Sequence, residues 1–268
     1  MSSADLAPLW LTLRLAATVT PLLLAFGTPL AWWLARTRSR LRSPIEAVVA
    51  LPLVLPPTVL GFYVLIAMGP LSPIGRAYAR VAGRGLPFTF EGLLIASVLY
   101  SLPFAVQPLQ MAFEGIGRLP LEAAATLRAG PFDRFLTVAV PLARRGFVTA
   151  ATLGFAHTLG EFGVVLMIGG NIPGRTRVLS IAIYDHVERL ELAEAHRLSL
   201  GFLVLSFAAL WSVYALNRSP RSAGPEGPLP RDGSPGPEGA PGSQGAPGSQ
   251  GVPGSRRRQR PPASGGGA

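Results

Sequence analysis

The amino-acid sequence contains no cysteine and no lysine, and charged residues of any kind are scarce. Without cysteine the chain cannot form disulfides, thiolate metal sites or a cysteine nucleophile. Its three histidines, His157, His186 and His196, do not have the spacing of metal ligands, and no GxxxxGK(S/T) segment is present to bind the phosphates of ATP. Only 14% of the 268 residues are charged, against about 25% in a typical soluble domain. These absences predict a chain without a thiolate or histidine metal centre and without an ATP site of its own; our expectation that it binds no cofactor and is not an enzyme depends on the resemblance described below.

Long apolar blocks dominate the sequence instead. Hydrophobic residues make up 49% of the chain, and the mean hydropathy is +0.39. They are gathered into five blocks, at residues 9–35, 45–69, 92–113, 147–170 and 196–216. We therefore predict an all-α membrane protein with about five transmembrane helices, because about 20 apolar residues suffice to cross a bilayer. The expected location is the cell inner (cytoplasmic) membrane, as a multi-pass protein.

Prolines lie in three of these blocks, and those of the first two predict irregular helices. Pro21 and Pro29 lie in the first block and predict kinks, because proline removes a backbone hydrogen-bond donor. Pro56 and Pro57 lie in the middle of the second block and predict a break in the helix. Irregular backbone at membrane depth is tolerated beside other protein or a water-lined cavity, not against lipid. We therefore expect Pro56 and Pro57 to line an internal cavity.

Arginine supplies all 24 basic side chains and is distributed unevenly between the loops. Loops on the cytoplasmic side of a membrane carry an excess of basic residues. Residues 36–42, 114–146 and 217–221 together hold eleven arginines, whereas the opposite loops, 70–90 and 171–195, hold six. The N-terminus is therefore predicted outside, with the C-terminus in the cytoplasm. The net charge of +10 comes mainly from these arginines beside the apolar blocks. It therefore does not indicate nucleic-acid binding.

Composition changes abruptly beyond the fifth block. Glycine recurs at every third residue from Gly233 to Gly254, in a collagen-like pattern. Because collagen needs three chains and this stretch is short, we predict a disordered basic tail over residues 219–268. A weak interaction or contact with a membrane surface through Arg256–Arg258 and Arg260 is the alternative. Residues 1–218 are then the transmembrane domain.

The cytoplasmic loop at 114–146 is predicted to form two short helices. Residues Glu122–Ala129 are rich in helix formers and have an acid at the positive end of the helix. Gly130 is expected to end this helix, and Pro131 to begin the next one. Pro141 is expected to end the second helix.

Small side chains at Ala123–Ala125 would let another protein backbone approach the first of these helices. On its own, an alanine-rich helix is usually an ordinary surface helix. However, Glu122-Ala123-Ala124, followed by Gly130 and by Val140-Pro141, resembles the EAA loop of ABC importer permeases. The resemblance extends over most of residues 9–216 and implies the type I importer permease (MetI-like) fold. In that family the loop is a coupling helix that sits in a groove of the cytoplasmic ATPase.

The resemblance also implies partners and coupling residues. Two copies of the permease would form the translocation path, two ABC ATPase subunits would hydrolyse ATP, and an extracytoplasmic binding protein would deliver the substrate. The coupling residues that it implies are Glu122, Ala123, Ala124, Leu127, Arg128, Ala129, Gly130, Pro131 and Pro141. The family usually has glycine where this chain has Arg128, and we expect Gly130 to take over the turn.

Three further segments are similar to the molybdate permeases of this family: Leu51–Leu65, Gly160–Thr176 and Leu179–Tyr184. The resemblance implies transport of molybdate or tungstate, which are tetrahedral dianions of nearly equal size. Sulfate and thiosulfate permeases share a GEFG and GNIP-like stretch, so a sulfate importer is the alternative. An ion-coupled secondary transporter would need internal repeats and several ionisable groups in the membrane, whereas the blocks show only Glu161 and His157. A membrane enzyme would need a cluster of catalytic side chains on one face, and the sequence does not indicate one.

Glu161 is the acid that lies deepest in an apolar block. A carboxylate there is costly unless it is paired. We therefore expect either a structural hydrogen bond to a neighbouring helix or to the second copy of the chain, for example through Arg14 or His157, or a direct role in a gate. His157 precedes Glu161 by one helical turn and is predicted to share its face; the simpler interpretation is a satisfied interior histidine. In an outside loop, Arg175 and Arg177 either contact the binding protein or are solvated. The predicted path or gate residues are Pro56, Pro57, Thr158, Gly160, Glu161 and Gly163.

Overall fold

The computed structural model describes residues 3–216, and every regular element in this range is a helix. The helices are α1 (Ser3–Arg36), α2 (Arg42–Val54), α3 (Pro57–Met68), α4 (Pro73–Ala82), α5 (Phe90–Gly115), α6 (Leu119–Thr126), α7 (Pro131–Arg134), α8 (Val140–Leu142), α9 (Arg144–Leu159), α10 (Gly163–Gly169), α11 (Leu179–Glu188) and α12 (Leu192–Leu216). A π-helical turn, Phe135–Ala139, joins α7 to α8. The all-α prediction is confirmed over this range, and the predicted tail at 219–268 lies outside the described residues.

Within the described range, three helices are long and apolar enough to cross a membrane: Leu6–Arg36, Phe90–Gly115 and Leu192–Ser212. Two pairs of shorter helices meet the same criterion together but are bent, by 115° between α2 and α3 and by 61° between α9 and α10. If each bent pair is one span, the chain has the five crossings that its hydropathy predicts. The side on which the N-terminus lies stays a prediction.

The main core forms where α1, α5 and α9 pack against one another. Buried apolar residues recur at helical spacing along these elements, for example Leu15, Val19 and Leu23 on α1 and Val106 and Leu109 on α5. The three prolines of α1 do not interrupt that helix. Helices α2 and α10, which belong to the two bent pairs, both pack against α5 of this core.

The bend between α2 and α3 occurs at the predicted prolines. Leu55 and Pro56 have extended backbone, with ψ of 137° and 136°. Pro57 is the first residue of α3, a position where its missing N–H removes no helical hydrogen bond. The helix of the second apolar block is therefore broken at these prolines, as the sequence predicts.

The fourth apolar block is also broken, which the sequence analysis did not predict. Helix α9 ends at Leu159, and residues 160–162 separate it from α10, which begins at Gly163. The hydroxyl of Ser180, on α11, donates to the backbone oxygen of Glu161 at 2.7 Å. Glycine is a weak helix former, and this tertiary hydrogen bond satisfies a carbonyl that the break would otherwise leave unpaired.

The loop at 70–90 contains a helix rather than irregular backbone throughout. Ser72 caps α4 by accepting a hydrogen bond from the N–H of Gly75 at 2.8 Å. Gly83 ends the helix in the left-handed conformation, with φ of +67°. This loop therefore contains a short helix with its own capping residues, which its polar composition does not indicate.

The loop at 171–195 also contains a helix, displaced toward the N-terminus from residues 183–194, whose sequence pattern predicts one amphipathic helix. It is α11, Leu179–Glu188, and it ends before Leu190, which has a left-handed φ of +62°. Helix α12 then begins at Leu192 rather than at His196. The turn between α11 and α12 therefore falls inside the segment that the sequence pattern assigns to one helix.

Candidate functional site

The two helix breaks lie beside a cavity of about 500 Å³. Its lining comes from α3, α5, α9, α10 and the break between the last two. The lining residues are Pro57, Thr58, Tyr100, Ala156, His157, Gly160, Glu161, Phe162, Gly163, Leu166 and Met167. Apolar and aromatic side chains therefore surround a small number of polar groups, an arrangement typical of small-ligand sites.

Four of the six predicted path or gate residues line this cavity: Pro57, Gly160, Glu161 and Gly163. Pro56 caps α3 and is not among the lining residues. Thr158 is buried and donates its hydroxyl to the carbonyl of Gly154 at 2.8 Å. The fold thus brings together residues of two different spans, and their role in transport stays a prediction.

Glycine allows the two bent spans to touch. A Cβ atom on Gly163 would lie 2.7 Å from the Cβ of Pro57, and one on Gly61 would lie 2.9 Å from the Cβ of Met167. Both distances are shorter than the contact distance between two non-bonded carbon atoms. Small residues allow close helix approach in membranes, so α3 and α10 depend on glycine at both contacts.

Glu161 is isolated at the edge of this cavity. Its side chain is 4% exposed, and neither carboxyl oxygen has a hydrogen-bond partner among residues 3–216. The hydroxyl of Ser97 is likewise buried without a hydrogen-bond partner in the described part of the chain. The predicted pairing with Arg14 is wrong, because that guanidinium lies over the ring of Phe90, 4.5 Å from its centroid.

His157 does not pair with Glu161 either. Its Nδ1 lies 2.8 Å from the Oγ of Ser101, and its ring stacks on Phe104 with a centroid separation of 4.0 Å. Because α9 ends at Leu159, His157 and Glu161 do not share a helical face, which corrects the sequence prediction. His157 is instead a hydrogen-bonded and stacked interior histidine.

The loop at 114–146 differs from the cavity, because much of its apolar surface is exposed. Helix α6 begins and ends earlier than the predicted 122–129, and Glu122 lies in its first turn. Leu127 is 82% exposed and Phe132 is 73% exposed. The exposed coupling residues are Glu122, Ala123, Leu127, Arg128, Gly130, Pro131 and Pro141, and the half-buried ones are Ala124 and Ala129.

The turn after α6 is made by Arg128 and not by Gly130, contrary to the expectation. Arg128 has φ of +63°, whereas Gly130 has φ of −68° and caps α7. A residue other than glycine in the left-handed region costs roughly 1–2 kcal/mol. Pro131 begins α7 as predicted, but Pro141 lies within α8, and the chain leaves the helix at Ala143. A π-helical turn precedes Pro141 and shifts the hydrogen-bond register ahead of it.

An aromatic cluster attaches this loop to the membrane helices. The ring of Phe135, in the π-helical turn, lies 5.1 Å from that of Trp32 on α1 and 6.1 Å from that of Phe113 on α5. Arg36, at the end of α1, donates to the carbonyl of Gly117 at 3.1 Å. These contacts join residues far apart in the chain, so they were not predictable from the sequence.

A polar cluster ties α2 to α5 near the same loop. Arg42 contacts Glu46 at 2.9 Å and Glu114 at 2.6 Å. Gln110 donates to Glu46 at 2.7 Å and to Glu114 at 3.1 Å. This cluster was not predicted from the sequence. The spacing of Arg42 and Glu46 by one helical turn does indicate that the two side chains can pair.

At the loop between α10 and α11, Asp185 is the centre of an ion-pair network. It contacts Arg177 and, at 3.1 Å, Arg189, while Asn171 donates to its other carboxyl oxygen at 3.1 Å. Burial, and then the neighbouring Arg189, lowers the pKa of Arg177, although a guanidinium remains charged in proteins. The interpretation of Arg177 as solvated is therefore wrong, whereas Arg175 is exposed.

Comparison with known proteins identifies the family. Residues 27–222 match the family described as "Binding-protein-dependent transport system inner membrane component". The chain is 64% identical over 218 residues to the molybdenum transport system permease protein ModB of Azotobacter vinelandii, covering 81% of this chain and 96% of that protein. It is 34% identical over 185 residues to ModB of Escherichia coli K12, covering 68% of this chain and 81% of that protein.

A solved structure shares the fold. It is a bacterial ABC transporter involved in the import of the acidic polysaccharide alginate, which matches with a TM-score of 0.68 over 81% of this chain and 79% of the other. The two sequences are 13% identical, so this likeness concerns the fold. Together with the bent spans and the cytoplasmic loop, these similarities show that the chain belongs to the family of inner membrane components of binding-protein-dependent transport systems.

Proposed function

We propose that this chain is the permease subunit of an ATP-driven importer of molybdate. The observation that carries the proposal is the 64% identity to the A. vinelandii molybdenum permease across nearly its full length. The family assignment argues against an ion-coupled secondary transporter. Tungstate has the same charge and shape as molybdate and is expected to be accepted as well.

The cavity beside the two helix breaks is the proposed translocation site. Its lining residues include Thr58, Tyr100 and His157 within apolar surroundings, and none of them is an arginine. A fixed positive charge there would hold a dianion tightly, whereas conduction requires binding weak enough for release. A lining of this kind suits transient passage, with capture left to an extracytoplasmic molybdate-binding protein.

We propose that the cytoplasmic loop at 114–146 couples ATP hydrolysis by the ATPase to movement of the membrane helices. The exposed apolar residues Leu127 and Phe132 would be covered by one of two ABC ATPase subunits, which bind and hydrolyse ATP. Phe135 packs against Trp32, so displacement of the loop would reach α1 directly. Two copies of the chain would form the path between them, with the N-terminus outside and this loop in the cytoplasm.

The test is molybdate uptake by proteoliposomes that contain this chain, the ATPase and the binding protein. We expect uptake that requires ATP and that tungstate inhibits more strongly than sulfate. An ATPase subunit with its P-loop lysine replaced is the control and should abolish uptake. Uptake without ATP would contradict the importer, and preferential uptake of sulfate would move the substrate to the sulfate alternative.

A further inference from the structure

We propose that the contact between Arg42 and Glu114 is the link through which the loop at 114–146 positions α2, the first half of the bent pair α2–α3. This inference rests on the proposed function, since it names the contact that passes movement of the ATPase-driven loop to a membrane helix. Both side chains are positioning residues, because neither lines the cavity beside the two helix breaks.

Helix α2 is attached weakly to the other membrane helices. Val49 alone is buried among its residues, Arg42–Val54, and the helix packs mainly against α5. Other apolar side chains of α2 are largely uncovered, with Val48 64% exposed and Val54 82% exposed. Close packing of side chains holds membrane helices together, so apolar contacts within this chain do little to fix the position of α2.

A second cavity, of about 320 Å³, lies between α2 and α5. Its lining residues are Leu34 on α1, Glu46, Val49 and Ala50 on α2, and Val106, Gln107, Gln110, Met111 and Glu114 on α5. Well-packed helices leave few voids of this size. The two helices therefore do not fit closely along this face, and polar contacts connect them instead.

Two polar contacts cross from α2 to α5. Arg42 donates from Nη2 to Oε1 of Glu114 at 2.6 Å, and Gln110 donates from Nε2 to Oε1 of Glu46 at 2.7 Å. The side chains of Arg42 and Glu114 are 38% and 40% exposed. Pairs that are this exposed contribute little to folding stability, so their main effect is to set where the first turn of α2 lies.

Glu114 lies directly beside the loop that is proposed to meet the ATPase. Helix α5 ends at Gly115 and α6 begins at Leu119, so residues 116–118 alone separate the two helices. A displacement of α6 therefore acts on the end of α5 that holds Arg42.

The opposite end of α2 leads to the cavity beside the helix breaks. There the extended backbone of Leu55 and Pro56 separates α2 from α3. A short non-helical join of this kind can serve as a hinge, because a few residues at the end of an element absorb the change in backbone angles. Beyond the join, Pro57 touches Gly163 at the cavity wall. Helix α2 thus connects the loop at one end with the cavity at the other.

Reversal of one charge tests this link. Arg42→Glu places carboxylates on both sides of the contact with Glu114 and removes the cation that joins the helices. The amount of molybdate imported per ATP hydrolysed should fall about fivefold or more, which is the size of a typical coupling between two sites. The thermal unfolding midpoint should change by about 3 °C at most, because exposed ion pairs contribute little. Affinity for the ATPase should not change.

The matched control is Arg84→Glu. Arg84 pairs with Glu91 at 2.7 Å, with both side chains similarly exposed, but this pair lies at the opposite end of α5. The amount imported per ATP should therefore stay unchanged. Addition of Glu114→Arg to Arg42→Glu restores opposite charges across the contact, and this double variant should recover to within about twofold of the unsubstituted complex.

Four results would overturn the inference: an unchanged amount imported per ATP in Arg42→Glu, an equal fall in Arg84→Glu, no recovery in the double variant, or weakened ATPase binding in Arg42→Glu, which would place Arg42 in the docking surface. Failure of the proposed function has a different sign, which is uptake by the unsubstituted complex without ATP. If that complex imports another oxyanion instead of molybdate, the same variants test the link with that ion.

Discussion

The cavity region and the cytoplasmic loop use small residues in opposite ways. At the cavity, Gly163 lets α10 touch Pro57, and the contact leaves no room for a further carbon atom. In the loop, the short side chains of α6 leave it exposed, with Leu127 almost fully uncovered. The first region is completed by contacts within this chain, whereas the second presents apolar surface to water. An exposed apolar patch in a polar environment marks an interaction site, so the loop is the part that needs another protein.

The two regions also end their helices differently. Near the cavity, Pro57 and the glycines of the second break interrupt the membrane helices with residues suited to that position. In the loop, Arg128 occupies a left-handed conformation that glycine would adopt at lower cost. The cavity is thus locally consistent with its sequence, whereas the loop carries strain at the turn that is proposed to meet the ATPase.

The largest expected effect is at the cavity contact. Gly163→Ala should destabilise the protein by about 1–3 kcal/mol, because the added methyl group overlaps Pro57 and forces the bent spans apart. The thermal unfolding midpoint in detergent and ATP-driven uptake should both decrease. Gly201→Ala on α12 is the matched control, since a Cβ there meets no atom within 4 Å. Equal effects of the two substitutions would show that the contact between the spans is unimportant.

An intermediate effect is expected at the exposed loop. Leu127→Asp should weaken binding of the ATPase about tenfold or more, as replacement of a central apolar contact does. The unfolding midpoint should stay unchanged, because the side chain is exposed in the isolated permease. Affinity of the detergent-solubilised permease for the ATPase measures the effect.

Val81→Asp is the control for that measurement, because Val81 is 91% exposed on α4, which the predicted orientation places on the opposite side of the membrane. If Val81→Asp weakened ATPase binding and Leu127→Asp did not, both the docking surface and the orientation would be wrong.

The smallest expected effect is at the strained turn. Arg128→Gly should stabilise the permease by about 1 kcal/mol, because it relieves the left-handed conformation. Ala125→Gly, in the adjoining helix, should destabilise it by about 1 kcal/mol. Thermal unfolding and amide hydrogen exchange of the loop measure both changes. If Arg128→Gly were destabilising, the arginine side chain would make a contact whose stabilising free energy exceeds the cost of the left-handed backbone.

Much of the fold follows from local features of the chain. The apolar blocks predicted the spans, and Pro56 and Pro57 predicted the first bend, because hydropathy and the missing proline N–H act on the segment that carries them. The candidate site was predictable in part, since Glu161 stands out as an acid in an apolar block. Its pairing was not predictable, because that depends on which side chains of other helices reach it.

The loop illustrates the same limit. Composition predicted two short helices between 114 and 146, and the structure has them. The turn at Arg128 was not foreseen, because glycine two residues later is the stronger local signal for a left-handed turn. The helix ends earlier than its composition predicts, so the left-handed position falls on the arginine.

The sequence by itself determined that this is a membrane protein of about five spans, with a helix break at Pro56 and a long polar loop between the third and fourth apolar blocks, because hydropathy and proline chemistry are local properties. Only the tertiary structure decided that the second break lies at residues 160–162, that Gly163 meets Pro57, and that Glu161 stays unpaired beside a cavity. The reason is physical: a cavity and an unsatisfied buried group exist only where distant segments pack together, and the free energy of that packing belongs to no single segment.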